Sequence, residues 1–304
     1  MDLYLPIANL SVNALMMIAL GAGVGVLAGM FGVGGGFLTT PLLILYGVSP
    51  TVAAASGSMQ VTGASVSGVI AHFRRDGVDT KMGWVLVAGG IVGSMLGAVI
   101  FRQLQKLGQI DIVIAILYVI LLTSIGLLMA RDGLRALLAE RRGVPPPSRP
   151  RRHHPMIASL PGRWRFYGSG LYISPLGPFL LGMFTGVLTV LLGIGGGFVL
   201  VPAMLYILGM SARVVVGTSL FQSLFVSAIA TMTHALTTHA VDMVLATLLL
   251  SGSVVGAQIG VRIAQRARPD YLRVLLALLV LTIAVRMALG LAWRPDEIFT
   301  IQMS

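Results

Sequence analysis

Residues 25–37 read Gly-Val-Leu-Ala-Gly-Met-Phe-Gly-Val-Gly-Gly-Gly-Phe, and residues 186–198 read Gly-Val-Leu-Thr-Val-Leu-Leu-Gly-Ile-Gly-Gly-Gly-Phe. Eight of the thirteen positions are identical, and a proline follows each copy, Pro41 and Pro202. Each stretch closes one long apolar run and opens another. Three successive glycines inside apolar sequence are costly, because glycine loses the most backbone entropy on ordering and leaves peptide groups uncovered. A chain that accepts this cost twice, at equivalent places, has a use for the exposed backbone.

Composition sets the surroundings. Hydrophobic residues make up 56% of the chain and charged residues only 10%, whereas a soluble domain carries about 25% charged residues. Apolar runs long enough to cross a bilayer core recur at 11–30, 50–72, 82–101, 109–130, 174–194, 212–235, 243–264 and 271–293. Two shorter segments, 36–48 and 197–209, follow the glycine clusters. The expected fold is an all-α polytopic membrane protein. No basic n-region precedes the first apolar run, so no cleavable signal peptide is expected. There is no cysteine, which excludes disulfides and thiolate metal sites. The net charge of +11 lies largely in loops, so it reads as membrane topology and not as nucleic-acid binding.

The order of features repeats. Ser49, Ser56, Gln60, Ser65 and His72 in the first half match Ser211, Thr218, Gln222, Ser227 and His234 in the second. Asp79 matches Asp242, and the small-residue ladder Gly89, Gly93, Gly97 matches Gly252, Gly256, Gly260. Asp111 and Thr123 match Asp270 and Thr282. The expected organisation is a membrane repeat over 1–130, a linker over 131–170 and a second membrane repeat over 171–304. The linker is rich in arginine and proline and carries nine arginines. It is expected to fix topology, with anionic lipid headgroups as a second reading.

Five segments per half, if all cross, put the second half in from the opposite side and make inverted repeats with broken helices at the glycines. Placing the linker in the cytoplasm then puts Arg74, Arg75 and Lys81 inside too, with Arg266, Arg268 and Arg273. The 236–241 loop, which lacks Lys and Arg, falls outside. Arg102 and Lys106 are the minority left outside. If the short segments are re-entrant instead, the halves are parallel and the charge contrast between the 74–81 and 236–241 loops is unexplained.

Free amides at the start of a helix suit an anion, and broken helices at equivalent points of two repeats mark a transporter's binding site. The candidate substrate-binding residues are Gly34, Gly35, Gly36, Gly195, Gly196 and Gly197, with Gln60 and Gln222 of the following helices and, a turn before these on the same face, Ser56 and Thr218. The competing reading is that the glycines only permit close packing or a bend. His72 and His234, at helix ends, are candidates for proton or ion coupling or for interfacial anchors. The Gly89 and Gly252 ladders read as helix packing. Gly23-Val24-Gly25-Val26-Leu27-Ala28 imitates a dinucleotide fingerprint, but it lies in an apolar helix with no preceding strand. No His/Asp/Glu grouping has metal-ligand spacing, and no cofactor is expected.

These residues resemble the TauE/SafE sulfite exporter family. The likeness rests on the doubled Gly-x-Gly-Gly-Gly-Phe with its downstream proline and on the Ser49 and Ser211 helix starts. It rests also on the Ser/Thr-x-x-x-Gln pairs and on His72-Phe73-Arg74-Arg75 with Val78-Asp79 following. The resemblance implies a bacterial inner-membrane permease, not an enzyme, that exports a small sulfur-containing anion such as sulfite or an organosulfonate. Its partners would be that anion and the lipid bilayer. The rival readings are a non-transporting membrane assembly subunit, whose glycines only pack helices, and an anion pore.

Overall fold

The computed structural model describes residues 2–8, 10–31, 35–141, 164–266 and 269–292. Ten helices dominate the described residues. They are α1 (Ala14–Phe31), α2 (Gly36–Leu45), α3 (Pro50–Phe73), α4 (Thr80–Lys106), α5 (Ile110–Arg141), α6 (Leu176–Leu192), α7 (Gly197–Tyr206), α8 (Ala212–Thr237), α9 (Met243–Arg266) and α10 (Pro269–Ala292). Each apolar run became one helix. Among the described residues, five helical segments (Thr80–Lys106, Ile110–Arg135, Val214–Thr237, Met243–Ile263 and Val274–Ala292) are long and apolar enough to cross a membrane. The 24-residue α3 is long enough but too polar to count among them. Its polar residues Ser56, Ser58, Gln60 and Ser65 are buried, while Val66, Ile70 and Phe73 are exposed. This arrangement suits a lipid surround, because polar groups in hydrocarbon must find partners inside the protein.

The structure departs from an all-α fold in two places. Antiparallel hairpins β1–β2 (Asp2–Leu5, Leu10–Asn13) and β3–β4 (Trp164–Phe166, Leu171–Ile173) stand before α1 and before α6. Leu5 and Val12 of one hairpin, and Phe166 and Ile173 of the other, are buried. Leu5 and Val12 join the cluster of Leu43, Val48 and Leu245, whereas Phe166 and Ile173 join that of Met82, Met204 and Met210. The strands have only three or four residues, so they carried no periodic signal. They narrow the expected linker from one end, and α5 narrows it from the other by continuing to Arg141. Residues 142–163 of that linker lie outside the described residues. Pro41 sits inside α2, where its ring nitrogen cannot donate to the carbonyl of Phe37.

The glycine ladders set the helix pairs. A methyl at Gly21, Gly25 or Gly29 of α1 would collide with the backbone of Leu249, Ser253 or Ala257 on α9. Gly252, Gly256 and Gly260 return the contact against Ile18, Ala22 and Val26. The second pair is built alike: Gly89, Gly93 and Gly97 of α4 mesh with Phe179, Met183 and Val187 of α6. Residue numbers climb together in both pairs, so the partners run parallel. Backbones approach this closely only where side chains are absent, and the gain is dispersion along the whole contact.

The helices α3 and α8 cross in the opposite sense. Gly68 meets Leu220 while Gly217 meets His72 and Gly77, so the end of one lies at the start of the other. Hydrogen bonds fix both ends. The backbone N–H of Asp79, before α4, donates to Thr218 Oγ1 at 3.0 Å, and that of Asp242, before α9, donates to Ser56 Oγ at 3.0 Å. Each aspartate then caps its own helix, Asp79 accepting from Met82 N and Asp242 from Leu245 N, both at 3.0 Å.

Candidate functional site

The two glycine turns meet at the centre. Phe37 and Phe198, the residues that close the two copies, stack with ring centroids 4.1 Å apart and planes 6° from parallel. Side-chain space at Gly36 is filled by Val61 and by the backbone of Gly193, and at Gly195 by Val61 and Ser227. Turn and counter-turn therefore wedge against each other across the α3–α8 contact. Gly34 lies outside the described residues.

On the first side, Gly35 precedes α2, and its carbonyl accepts from Leu38 N at 3.2 Å and Thr39 N at 3.3 Å. The amides of Gly36 and Phe37 then have no acceptor within the helix, as at any helix start. Gln60 stands beside this start. A side chain on Gly35 would lie 3.6 Å from Gln60 Nε2 and 3.3 Å from Val24. Gln60 is only 1% exposed, yet neither its Nε2 nor its Oε1 has a partner. A buried amide left unmade in this way costs about 1–3 kcal/mol.

On the second side, Gly196 adopts φ +75° before α7, a left-handed conformation that glycine enters without strain. Gln222 lies against it, and its Nε2 donates to Thr185 Oγ1 at 3.4 Å. Gly197 is buried at the first position of α7.

A cavity of about 420 Å³ leads to the first turn. It runs among α1, α3, α8 and α9 from His72 and Arg75, at the end of α3, past Gly68 and Ser65 to Gly35. Arg75 is exposed at its mouth. A cation there raises the local concentration of anions. The cavity therefore reaches Gly35, with the start of α2 and the Gln60 side chain directly behind it, and its entrance offers a positive charge.

The other sequence candidates are placed apart from the turns. Ser56 and Thr218 sit one turn before the glutamines and accept from the Asp242 and Asp79 amides, where they join the halves. His234 is buried with its Nε2 2.8 Å from the Val190 carbonyl and its ring edge-on to Phe101. His72 lines the cavity instead, so the two histidines are not brought together. Sequence reasoning gave no role to Asp79, Asp242, Tyr118, Thr185 or Ser223. The first two were visible as a matched pair before helices. Nothing local marks the other three.

The helices and their buried polar groups define a multi-pass helical membrane protein. A family model described as "Sulfite exporter TauE/SafE" matches residues 17–287, and the chain belongs to that family. It is 27% identical over 279 residues to the probable membrane transporter protein YjnA of Bacillus subtilis, covering 89% of this chain and 98% of that one. A probable membrane transporter protein of Xylella fastidiosa is 26% identical over 276 residues, covering 89% and 94%. The Sulfite exporter TauE/SafE family protein 1 of Arabidopsis thaliana is 30% identical over 103 residues, 34% of this chain and 23% of its own length. No solved structure matches the chain.

Proposed function

We propose that the protein is a secondary transporter that exports a small sulfur-containing anion, such as sulfite or an organosulfonate, and that the anion binds at Gly35 and Gln60. One observation carries this reading. Gln60 is an amide buried without a partner, and it stands behind Gly35, the residue of the first turn that lines the cavity. An oxyanion fits there, because its oxygens accept from the Gly36 and Phe37 amides and from Gln60 Nε2. The family's description as sulfite exporters supports the substrate class.

We infer further that the halves are inverted repeats. The antiparallel crossing of α3 with α8 supports this, as does the exchange of equivalent contacts, Asp79 with Thr218 and Asp242 with Ser56. The cavity then opens at the end carrying Arg74, Arg75 and Lys81, the cytoplasmic end by the positive-inside rule. That is the side from which an exporter takes its load. Rocking one repeat against the other would open the far side.

Purified protein in liposomes tests the function. Saturable sulfite uptake with counterflow is expected; linear, non-saturating flux would mean a pore, and no flux a non-transporting subunit. Gln60→Leu should weaken sulfite binding roughly 10- to 100-fold, the loss of one hydrogen bond to a charged acceptor. Gly35→Ala puts a methyl 3.3 Å from the Val24 side chain, which must give by a few tenths of an ångström, and 3.6 Å from Gln60 Nε2; if it and Gln60→Leu both transport at the wild-type rate, the site is elsewhere.

A further inference from the structure

Among the described residues, the two glycine turns are matched in sequence but not in their polar contacts, the first being held by one side chain, Thr39 Oγ1 donating to the Gly35 carbonyl at 3.1 Å. The second turn is pinned at three points. Thr185 holds the Gln222 amide, Ser223 donates to the Gly195 carbonyl, and the Tyr118 hydroxyl donates to the Leu192 carbonyl just ahead of the turn. Each anchor has an aliphatic residue at the equivalent position of the other half. Thr185 corresponds to Val24, Ser223 to Val61 and Tyr118 to Ala277. Val24 and Val61 lie against the first turn just as Thr185 lies against the second, and neither can donate or accept.

We infer that the duplicated site has divided its labour: the first turn, with Gln60, is the anion-binding half, and the second is a fixed scaffold. The division rests on the transport reading above. An oxyanion needs donors. Both hydrogens of Gln60 Nε2 are free, and this nitrogen is the end of the amide turned to Gly35, whereas Gln222 gives one of its two hydrogens to Thr185 and turns its Oε1 to Gly196. An oxyanion is drawn to the first arrangement and repelled by the second. The specificity-determining position is accordingly Val24. Because it cannot accept a hydrogen bond, the neighbouring amide stays available to the ligand.

Val24→Thr tests this directly, since threonine is nearly isosteric with valine and would reproduce at Gln60 the acceptor that Thr185 gives Gln222. Sulfite affinity of the full-length protein in detergent should fall about tenfold in Val24→Thr, as for occupation of one donor to a charged ligand. Val24→Ala, which adds no acceptor, should stay within about threefold of wild type on the same grounds. Hydrogen exchange of the wild-type protein gives a readout without ligand: amides of 193–197 should exchange more slowly than those of 35–38. Wild-type affinity in Val24→Thr, or equal exchange at the two turns, overturns the division of labour. If the wild-type protein binds neither sulfite nor methanesulfonate, the transport reading fails, and the exchange contrast still reports on the scaffold.

Discussion

At the scale of single residues, glycine does two different jobs in this chain. Gly23 and Gly25 are two positions apart in the same helix, but a methyl at Gly23 meets nothing within 4 Å, while one at Gly25 would lie 2.3 Å from the Ser253 carbonyl oxygen. Gly23→Ala should therefore be neutral or stabilise by about 0.5–1 kcal/mol, the helix-propensity gain. Gly25→Ala should destabilise by about 1–3 kcal/mol through overpacking, because the obstacle is backbone and cannot rotate away. Thermal melts in detergent decide between them. Arg75 is the other residue with a separable role. Arg75→Gln should slow sulfite entry several-fold at low salt and much less at high salt, since steering by an exposed charge is screened. A salt-independent effect would mean direct contact with the anion.

Among the elements, the aspartate caps matter most. Asp79 and Asp242 each start a long helix and each draw a backbone N–H to a hydroxyl of the opposite half. Ser56→Ala would leave the Asp242 amide buried without a partner and should cost about 1–3 kcal/mol. Because this contact holds the start of α9 to α3, the loss should appear as a lower melting temperature with sulfite affinity retained. A fall in affinity without a fall in stability would return Ser56 to the binding site proper. The repeat of Ser/Thr and Gln at one-turn spacing was plain in the sequence, but it suggested one site. The fold divides the pair, with Gln60 at the turn and Ser56 at the joint, because successive turns of one helix face different neighbours.

For the whole molecule, the proposed inverted topology rests on the crossing of α3 and α8. The 74–79 loop and the 237–242 loop lie at opposite ends of that pair. The chain lacks cysteine, so single cysteines at Asp76 and His239 report cleanly. An impermeant thiol reagent added outside whole cells should label His239→Cys and spare Asp76→Cys. Labelling of both from one side would remove the inverted arrangement.

The sequence alone determined that this is a helical membrane protein. Hydropathy runs of bilayer length do not depend on context, and each became a helix near its expected ends, save the run at 109–130, whose helix continues to Arg141. It also determined which glycines break helices and which line them, since three in a row and three at four-residue spacing serve different geometries. Only the tertiary structure decided the rest. Whether Gln60 or Gln222 is left without a partner depends on Val24 and Thr185, residues some 37 positions away in the chain. Those partners become neighbours only when α1 or α6 folds beside the next long helix. Hydrogen-bond satisfaction is a property of what surrounds a group, and a sequence read along its length does not record its surroundings.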